Sequence, residues 1–425
     1  MKYTNKDMGS YNIHLIKTDK YKTITIRVMF KRKIKKEEIT IRNVLASLLV
    51  QSTNKYNSKR KMTIEAHDLY SARLAVDNSR AGNYINTIFT LNVLNDKYTE
   101  SGNFKKSLEF LNEVIFNPDV EDKKFKEKNI DIVMNRTRTE LSSIKEDPNT
   151  YSLVRAMESF DPKSPVSYRM MGYLEDLDTI DGESLYKYYN EMINKDFVDI
   201  AVIGDINEEM VVNEIKKYFK LRILKRPNKD FFLPNKRPRA RRLFGKETIE
   251  ATQSRLNIIC RLGKLTKYER DYVLPVLNVI FGGGADSKLF KIVREQHSLC
   301  YTIYSKPKRL DNILIIRTGI NRENYQKTLK LIEKILSDMK KGKFSEDDIN
   351  IAKQYFETAF DELEEDPNSV IDLYLSKMYY DTDDLDVKRK NIMKVSKNEL
   401  VKVAKKIHMD TVFELEGDKD EEDGI

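Results

Sequence analysis

The chain has 425 residues, 40% apolar and 34% charged; that is too long for one ordinary core, predicts two domains, and excludes fibrous and low-complexity classes. Its two cysteines, Cys260 and Cys300, exclude a disulfide scaffold and fit a reducing interior, and no run approaches the ~20 apolar residues of a membrane span. The formal net charge of +9 invites a nucleic-acid reading, which its placement weakens: residues 222–246 hold ten Lys/Arg against the single acid Asp230 and carry the whole excess.

In chain order, the opening MKYTNKDMGSYNIHLI shows no apolar signal core and no small-residue cleavage site, so the cytoplasm is the expected location. Ile24, Ile26, Val28 and Phe30 alternate as the buried face of a strand, and an apolar helix follows at 41–51. His67 in EAHD is the nearest approach to a metal cluster. Without a second histidine on its helical face it reads as a surface or helix-end residue. A strand is predicted at 84–94, then an amphipathic helix with Phe104, Leu108, Leu111 and Ile115 on one stripe. EDPN at 146–149 starts another helix, with Asp as N-cap and Pro as first helical residue. A strand at 198–203 closes the first half.

Residues 222–246 contain Pro227, Pro234 and Pro238 without apolar periodicity and read as a basic linker. Beyond it the pattern starts again. Leu256, Ile258, Cys260 and Leu262 alternate, an apolar helix covers 272–281, and a strand is expected at 312–320. Tyr325, Leu329, Ile332 and Leu336 repeat the steps of the earlier stripe, and EDPN recurs at 365–368, an offset of 219. Matches in the same order on both sides of a linker indicate one unit written twice. The predicted fold is α+β: two homologous domains, each a mixed, mainly antiparallel sheet with helices on one face. Their spans are 1–221 and 247–416, joined by the linker and followed by an acidic, disordered tail at 417–425.

Between the second apolar helix and its following strand lies FGGGADSKLFKIVREQHSLCYTIYS. Gly282, Gly283 and Gly284 would end one helix in a backbone conformation closed to other residues, with Asp286 or Ser287 capping the next. The spacing is not a phosphate loop, because Lys288 follows no glycine at the required place. The strand beginning YTIYS, with Thr302 and Ile303, offers an edge for binding substrate backbone by strand addition.

This segment resembles the second-domain signature of the insulinase-like, or pitrilysin, zinc metallopeptidases. The duplicated halves, the linker and VDIAVIGDINEE extend the resemblance across most of the chain. The length is similar to the short-chain branch that includes the mitochondrial processing peptidase, whose members work as dimers. The resemblance implies a half-clamshell of two such domains and an inverted His-x-x-Glu-His zinc motif on the first helix. Here that helix reads IRNVLASLLVQST, with Asn43, Ala46 and Ser47 where His, Glu and His would stand. The four histidines, His14, His67, His297 and His408, supply no replacement. No metal site is therefore expected in this chain, and zinc is expected in a partner.

The family's second-domain Arg and Tyr map onto Arg294 and Tyr301, which the resemblance makes hydrogen-bond donors to the oxygen that gains charge during peptide hydrolysis. The implied function is that of a subunit inactive on its own, in a heterodimeric bacterial metalloendopeptidase that processes peptides or leader peptides. It would lend Arg294, Tyr301 and half of a peptide chamber to a partner of the same fold. The chain resembles the inactive member of a bacterial gene pair named for its association with elongation-factor-P modification. The rival readings are a catalytically dead structural or assembly protein, a peptide-binding holdase, and an RNA- or anion-binding role for the linker; neither nucleic acid nor membrane is the expected partner.

Overall fold

The computed structural model describes residues 1–222 and 230–418. Its strands, in chain order, are β1 (Lys2–Asp7), β2 (Tyr11–Lys17), β3 (Thr23–Lys33), β4 (Arg73–Ala81), β5 (Tyr84–Leu94), the short β6 (Val120–Glu121) and β7 (Lys124–Phe125), β8 (Phe197–Gly204), β9 (Leu243–Ile249), β10 (Ser254–Leu262), β11 (Cys300–Lys308), β12 (Ile313–Ile320) and β13 (Ile407–Gly417). The α-helices are α1 (Ile39–Leu49), α2 (Lys59–Asp68), α3 (Asn103–Phe116), α4 (Glu127–Ser142), α5 (Pro148–Phe160), α6 (Gly182–Lys195), α7 (Glu208–Tyr218), α8 (Leu274–Gly282), α9 (Tyr325–Lys340), α10 (Glu346–Leu363), α11 (Pro367–Tyr380), α12 (Leu385–Lys394) and α13 (Lys397–Ala404). Among the described residues no helix is long and apolar enough to cross a membrane.

The chain forms two units. The first comprises Met1–Ser142, Arg169–Asp230 and Asp366–Ser376; the second comprises Ser143–Tyr168, Phe231–Glu365 and the segment from Lys377. The linear boundaries drawn from the sequence are thus crossed twice, each time close to an EDPN repeat. Helical periodicity reports that a helix has an apolar face, not which sheet that face will meet.

In the first unit the strand order is β1-β2-β8-β3-β5-β4, antiparallel except for the parallel pair β2 and β8. One face carries Ile24, Ile26, Val28 and Phe30 into a core with Val44, Leu45 and Leu48 of α1 and Phe104, Leu108, Leu111 and Ile115 of α3. In the second unit the order is β11-β12-β10-β13-β9, with β9 and β13 the parallel pair. Taken from β9 inward, this reproduces β2-β8-β3-β5-β4, so the duplication seen in the sequence is a duplication of topology. Leu256, Ile258, Cys260 and Leu262 share their core with Leu329, Ile332 and Leu336 of α9.

The opposite face of each sheet receives a helix that the linear division had assigned elsewhere. In the second unit, Ala156, Met157 and Phe160 of α5 pack on Ile259, Ile315, Phe413 and Leu415. In the first unit, residues 366–376 meet a polar surface instead. Arg27 Nη1 donates to Asp372 at 2.8 Å, and the Tyr3 and Tyr374 rings stack at 4.4 Å. Beneath them Asp199 accepts from Lys31 Nζ at 2.6 Å, from Asn12 Nδ2 at 3.0 Å, and lies 3.0 Å from His14 Nε2. Asn12, His14, Lys31 and Asp199 are all buried.

The expected linker is largely built into the second unit. Residues 223–229 lie outside the described residues, but Phe231 and Leu233 are buried and β9 begins at Leu243. The basic side chains find acids: Lys236 pairs with Asp161 at 2.6 Å, Arg239 with Asp410, Arg242 with Glu333 and Lys246 with Glu416 at 2.7 Å. Four of the ten basic residues in a run that looks unpaired in sequence are thus paired in space. Of the expected tail, Gly417 ends β13 and residues 419–425 lie outside the described residues.

Burial by itself would push the Asp199 carboxyl up, but the Lys31 ammonium and the His14 hydrogen bond outweigh it and hold the group well below its ordinary range. A carboxyl depressed in the folded state stabilises above its unfolded pKa, and that contribution is lost as pH falls toward the folded value. Melting temperature is therefore expected to fall more steeply between about pH 5 and pH 2 in the native chain than in Asp199→Asn. That variant should also be destabilised at neutral pH by roughly 3–5 kcal/mol, because Lys31 is left buried without its partner. Parallel acid slopes would contradict this.

Candidate functional site

The segment that carries the resemblance is built around a close approach. α8 ends at Gly282, and a Cβ there would lie 2.6 Å from Ser305 Oγ, 2.7 Å from Leu289 Cδ1 and 2.9 Å from Ser305 N. Hydrogen in place of a side chain lets the helix end seat directly against β11. The expectation of a backbone conformation closed to other residues is corrected here: Gly282, Gly283 and Gly284 are absent from the positive-φ glycines. The constraint at Gly282 is space, while a Cβ on Gly284 would meet nothing within 4 Å. Ser287 is buried and accepts from Phe290 N at 3.4 Å, so it serves as the cap; Asp286 pairs with Lys291 at 2.9 Å.

The next helical stretch is wound as a π-helix over Phe290–Gln296, with His297 N donating to Ile292 O at 3.2 Å and Leu299 N to Val293 O at 3.1 Å. Such widened turns are frequent at functional sites. Arg294 is on its exposed side, its guanidinium 4.4 Å above the Phe290 ring. Ser298 then takes a positive φ of 50°, and the chain enters β11, the terminal strand of its sheet.

β11 begins with a bulge. Cys300 pairs with Ile320 and Ile303 with Thr318, so Tyr301 and Thr302 together oppose Gly319. A bulge of this kind re-aims a side chain, and Tyr301 is 74% exposed. Thr318 Oγ1 ties it down by donating to Thr302 O at 2.9 Å. Arg294 and Tyr301 line one cavity of about 380 Å³, together with Gln253, Cys300, Asn321 and Asn324. Among the other expected site residues, Thr302 is exposed and lines a neighbouring pocket. Ile303 is buried in the core and offers only its backbone. Of the three glycines only Gly282 packs against β11, and none of them lines either cavity.

On α1, Asn43 Nδ2 donates to Met170 O at 2.7 Å, and its Oδ1 accepts from Asn78 at 2.7 Å. Ala46 is buried and has no ligand atom; Ser47 is half-buried. One residue before Asn43, the fully buried Arg42 pairs with Asp196 at 2.7 Å and donates to Phe30 O at 3.0 Å and Thr87 Oγ1 at 2.7 Å. Among the described residues no group of three or more His, Cys, Asp or Glu is placed to hold a metal ion. His67 is exposed on α2, 4.0 Å from Asp68.

Comparison with known proteins gives a consistent relationship. The family model described as "Peptidase M16 inactive domain" matches residues 179–356. The "Probable inactive metalloprotease YmfF" of Bacillus subtilis (strain 168) is 27% identical over 98% of this chain and 99% of its own. The crystal structure of a conserved protein from Enterococcus faecalis V583 superposes with a TM-score of 0.91 at 27% identity, over 98% of this chain and 99% of that one. Residues 179–356 thus resemble the inactive domain of the M16, or insulinase-like, peptidases, and the chain is similar along almost its whole length to a probable inactive metalloprotease. A peptidase M16 inactive domain from Pseudomonas fluorescens shares the fold, with a TM-score of 0.79 at 14% identity over 99% of each chain.

The proteins it resembles are described as inactive homologues of M16 peptidases. Side chains at the motif positions of α1 do not fit a zinc ion: an amide already bonded on both ends, a methyl group and one hydroxyl lack the imidazole and carboxylate donors that zinc prefers. The sequence reading did not find Gln253, Asn321 or Asn324, nor the bulge. The available signal was Gly319, a lone glycine inside a strand pattern, which marks a bulge or close backbone approach.

If space at Gly282 is the constraint, Gly282→Ala should lose about 1–3 kcal/mol of stability, the range for overpacking. Gly284→Ala should stay within about 0.5 kcal/mol of the parent. Urea midpoints of the two variants decide this; equal losses would show that the glycines act through backbone conformation instead.

Proposed function

We propose that this chain is the non-catalytic subunit of a two-chain zinc peptidase that acts on peptides or leader peptides in the cytoplasm. Its partner would be a chain of the same fold carrying His-x-x-Glu-His. The observation that carries the reading is the pairing of an exposed Arg294 and a bulge-projected Tyr301 in one cavity, beside a terminal strand, in a chain whose α1 residues do not fit zinc. Zinc bound in the partner would supply the activated water. This chain would supply donors and a template.

The donor chemistry follows from the side chains. A guanidinium and a phenol both donate hydrogen bonds, and neither has to lose a proton to do so. Placed against the peptide oxygen that becomes negative as water attacks, they stabilise the transition state more than the bound substrate. The residues 301–306 of β11 offer backbone groups for an added strand. Pro307, flanked by Lys306 and Lys308, makes the far end a poor template and discourages edge-to-edge pairing between copies. The same edge would bind peptides without hydrolysis if no zinc-bearing partner exists, which is the holdase reading.

The test uses the full chain, alone and mixed with a similar-length candidate partner carrying the zinc motif. Cleavage of a peptide pool is expected only from the mixture. Arg294→Ala in this chain should lower kcat by roughly 100- to 1,000-fold, the range for removing one transition-state donor, and Tyr301→Phe should also lower kcat, with smaller effects on KM. Peptidase activity with stoichiometric zinc in the isolated chain would overturn the proposal, as would a fully active mixture after both substitutions. Tight peptide binding without cleavage in any mixture would favour the holdase.

A further inference from the structure

A second pocket, of about 280 Å³, lies beside the Arg294–Tyr301 cavity and shares Gly319 with it. Its floor is two neighbouring rows across the sheet. In one, Tyr304 of β11 faces Arg317 of β12, which faces Asn257 of β10. In the other, the bulged Thr302 lies opposite Gly319, which faces Arg255. Asn149 and Ser152 from the first turn of α5 form the wall. Beyond them α5 covers an apolar patch of this sheet face around Ile259, Ile315, Phe413 and Leu415, with Arg261 paired to Asp410 at its far side, so these residues form a polar mouth beside a covered apolar surface.

The two arginines are held in place by neutral groups. Arg317 donates from Nε to Asn257 Oδ1 at 3.1 Å, from Nη1 to Tyr304 Oη at 3.1 Å and from Nη2 to Asn149 O at 2.5 Å. Arg255 donates from Nε to Asn149 Oδ1 at 2.8 Å, while its Nη1 is shared among Gln253 Oε1 at 3.1 Å, Gln253 O at 3.4 Å and Ser254 O at 3.3 Å. Among the described residues no carboxylate lies within ion-pair distance of either. The acid nearest in its electrostatic effect, Asp147, is occupied in capping α5, where it accepts from Asn149 N at 3.0 Å and from Thr150 Oγ1 at 2.5 Å. Each guanidinium has five N–H donors, which leaves Arg255 Nη2 and one N–H on each Nη of Arg317 without an acceptor among the described residues.

Glycine is what makes room for this. A Cβ on Gly319 would lie 3.0 Å from Arg255 Nη1 and 3.4 Å from its Cζ, so the guanidinium rests across β12 where a side chain would otherwise stand. Burial pushes the Arg255 pKa down, and the Arg317 charge adds to the effect. Two like charges converge on a pocket whose other lining groups are amides and hydroxyls.

We infer that this pocket is a carboxylate-binding subsite. It would accept an acidic side chain, or the C-terminal carboxylate, of a peptide laid along β11. The placement rests on the strand-addition reading above: side chains of an added strand that project to the same face as Thr302 and Tyr304 pass over the two arginines. The planar fork of arginine matches a carboxylate. The volume falls just below the roughly 300–1,000 Å³ of drug-sized sites, which suits one side chain or chain end.

The test measures binding of fluorescent peptides to the full chain. Three amidated probes differ at one position, which carries Glu, Gln or phosphoserine, and a fourth is the Gln peptide with a free C-terminus. N-acetyl-glutamate α-amide and its glutamine counterpart are titrated separately while the arginine Nε–H resonances are followed. The Glu probe or the free-terminus probe should bind about tenfold tighter than the amidated Gln peptide, the size of one charge-assisted hydrogen bond. Which of the two gains identifies the source of the carboxylate. Arg255→Gln and Arg317→Gln should abolish the preference, so that the Glu and Gln peptides bind alike. Gly319→Ala, which only displaces the tip of Arg255, should reduce the preference in a folded chain.

Peptide binding with no carboxylate preference would overturn the subsite and leave the edge-strand reading standing. Shifts of the two arginine resonances by the small glutamate probe, without any peptide binding, would keep a carboxylate pocket and overturn the edge-strand reading on which its peptide role rests. A phosphoserine peptide preferred over Glu by more than about tenfold would overturn the carboxylate assignment.

Discussion

Opposite Gly319, strand β11 carries one residue too many, and the functional account follows from that mismatch. The extra residue has no place in the ladder, so the strand bends and Tyr301 is turned outward while Ile303 and Ser305 stay buried. The missing side chain on Gly319 gives Arg255 a place to lie across the strand. Two cavities therefore open side by side at one sheet edge, one with Arg294 and Tyr301 and one with Arg255 and Arg317. The approach of α8 through Gly282 holds the strand from behind.

The two units solve the same packing problem with different chemistry. Each buries one sheet face under helices and receives a further helix on the other face. In the second unit that face is mainly apolar beneath α5, apart from the arginine mouth and the buried Arg261–Asp410 pair. In the first unit it is a buried polar cluster around Asp199. In the first unit α1, the helix on which the resemblance places a zinc motif, is locked from below by the buried Arg42–Asp196 pair, with Ala46 and a bonded Asn43 at the motif positions. A duplicated fold has thus kept its scaffold twice, and the candidate chemistry concentrates at one edge of the second copy.

Much of the scaffold was legible before any coordinates. The alternation at Ile24–Phe30 and Leu256–Leu262 and the stripes at Phe104–Ile115 and Tyr325–Leu336 are local patterns with a direct physical cause, and they appear as β3, β10, α3 and α9. The glycine run and the Arg–Tyr spacing pointed to the segment that holds the bulge, although Gly282 acts through space and not through φ. Non-local features stayed hidden. No periodicity says that α5 and residues 366–376 cross to another unit, that His14 and Lys31 are buried because a helix covers their face, or that Arg239 and Arg242 are already paired. Arg255 and Arg317 lie far apart in the chain, and only strand register brings them together.

The most direct measurement of the central claim is hydrogen exchange on the two-chain mixture, with and without a peptide that resists cleavage. The account predicts slower exchange at the backbone amides of residues 301–306 when the peptide is present, because an added strand takes up their free groups. Unchanged exchange along β11, with peptide-dependent protection elsewhere in this chain or only in its partner, would contradict it.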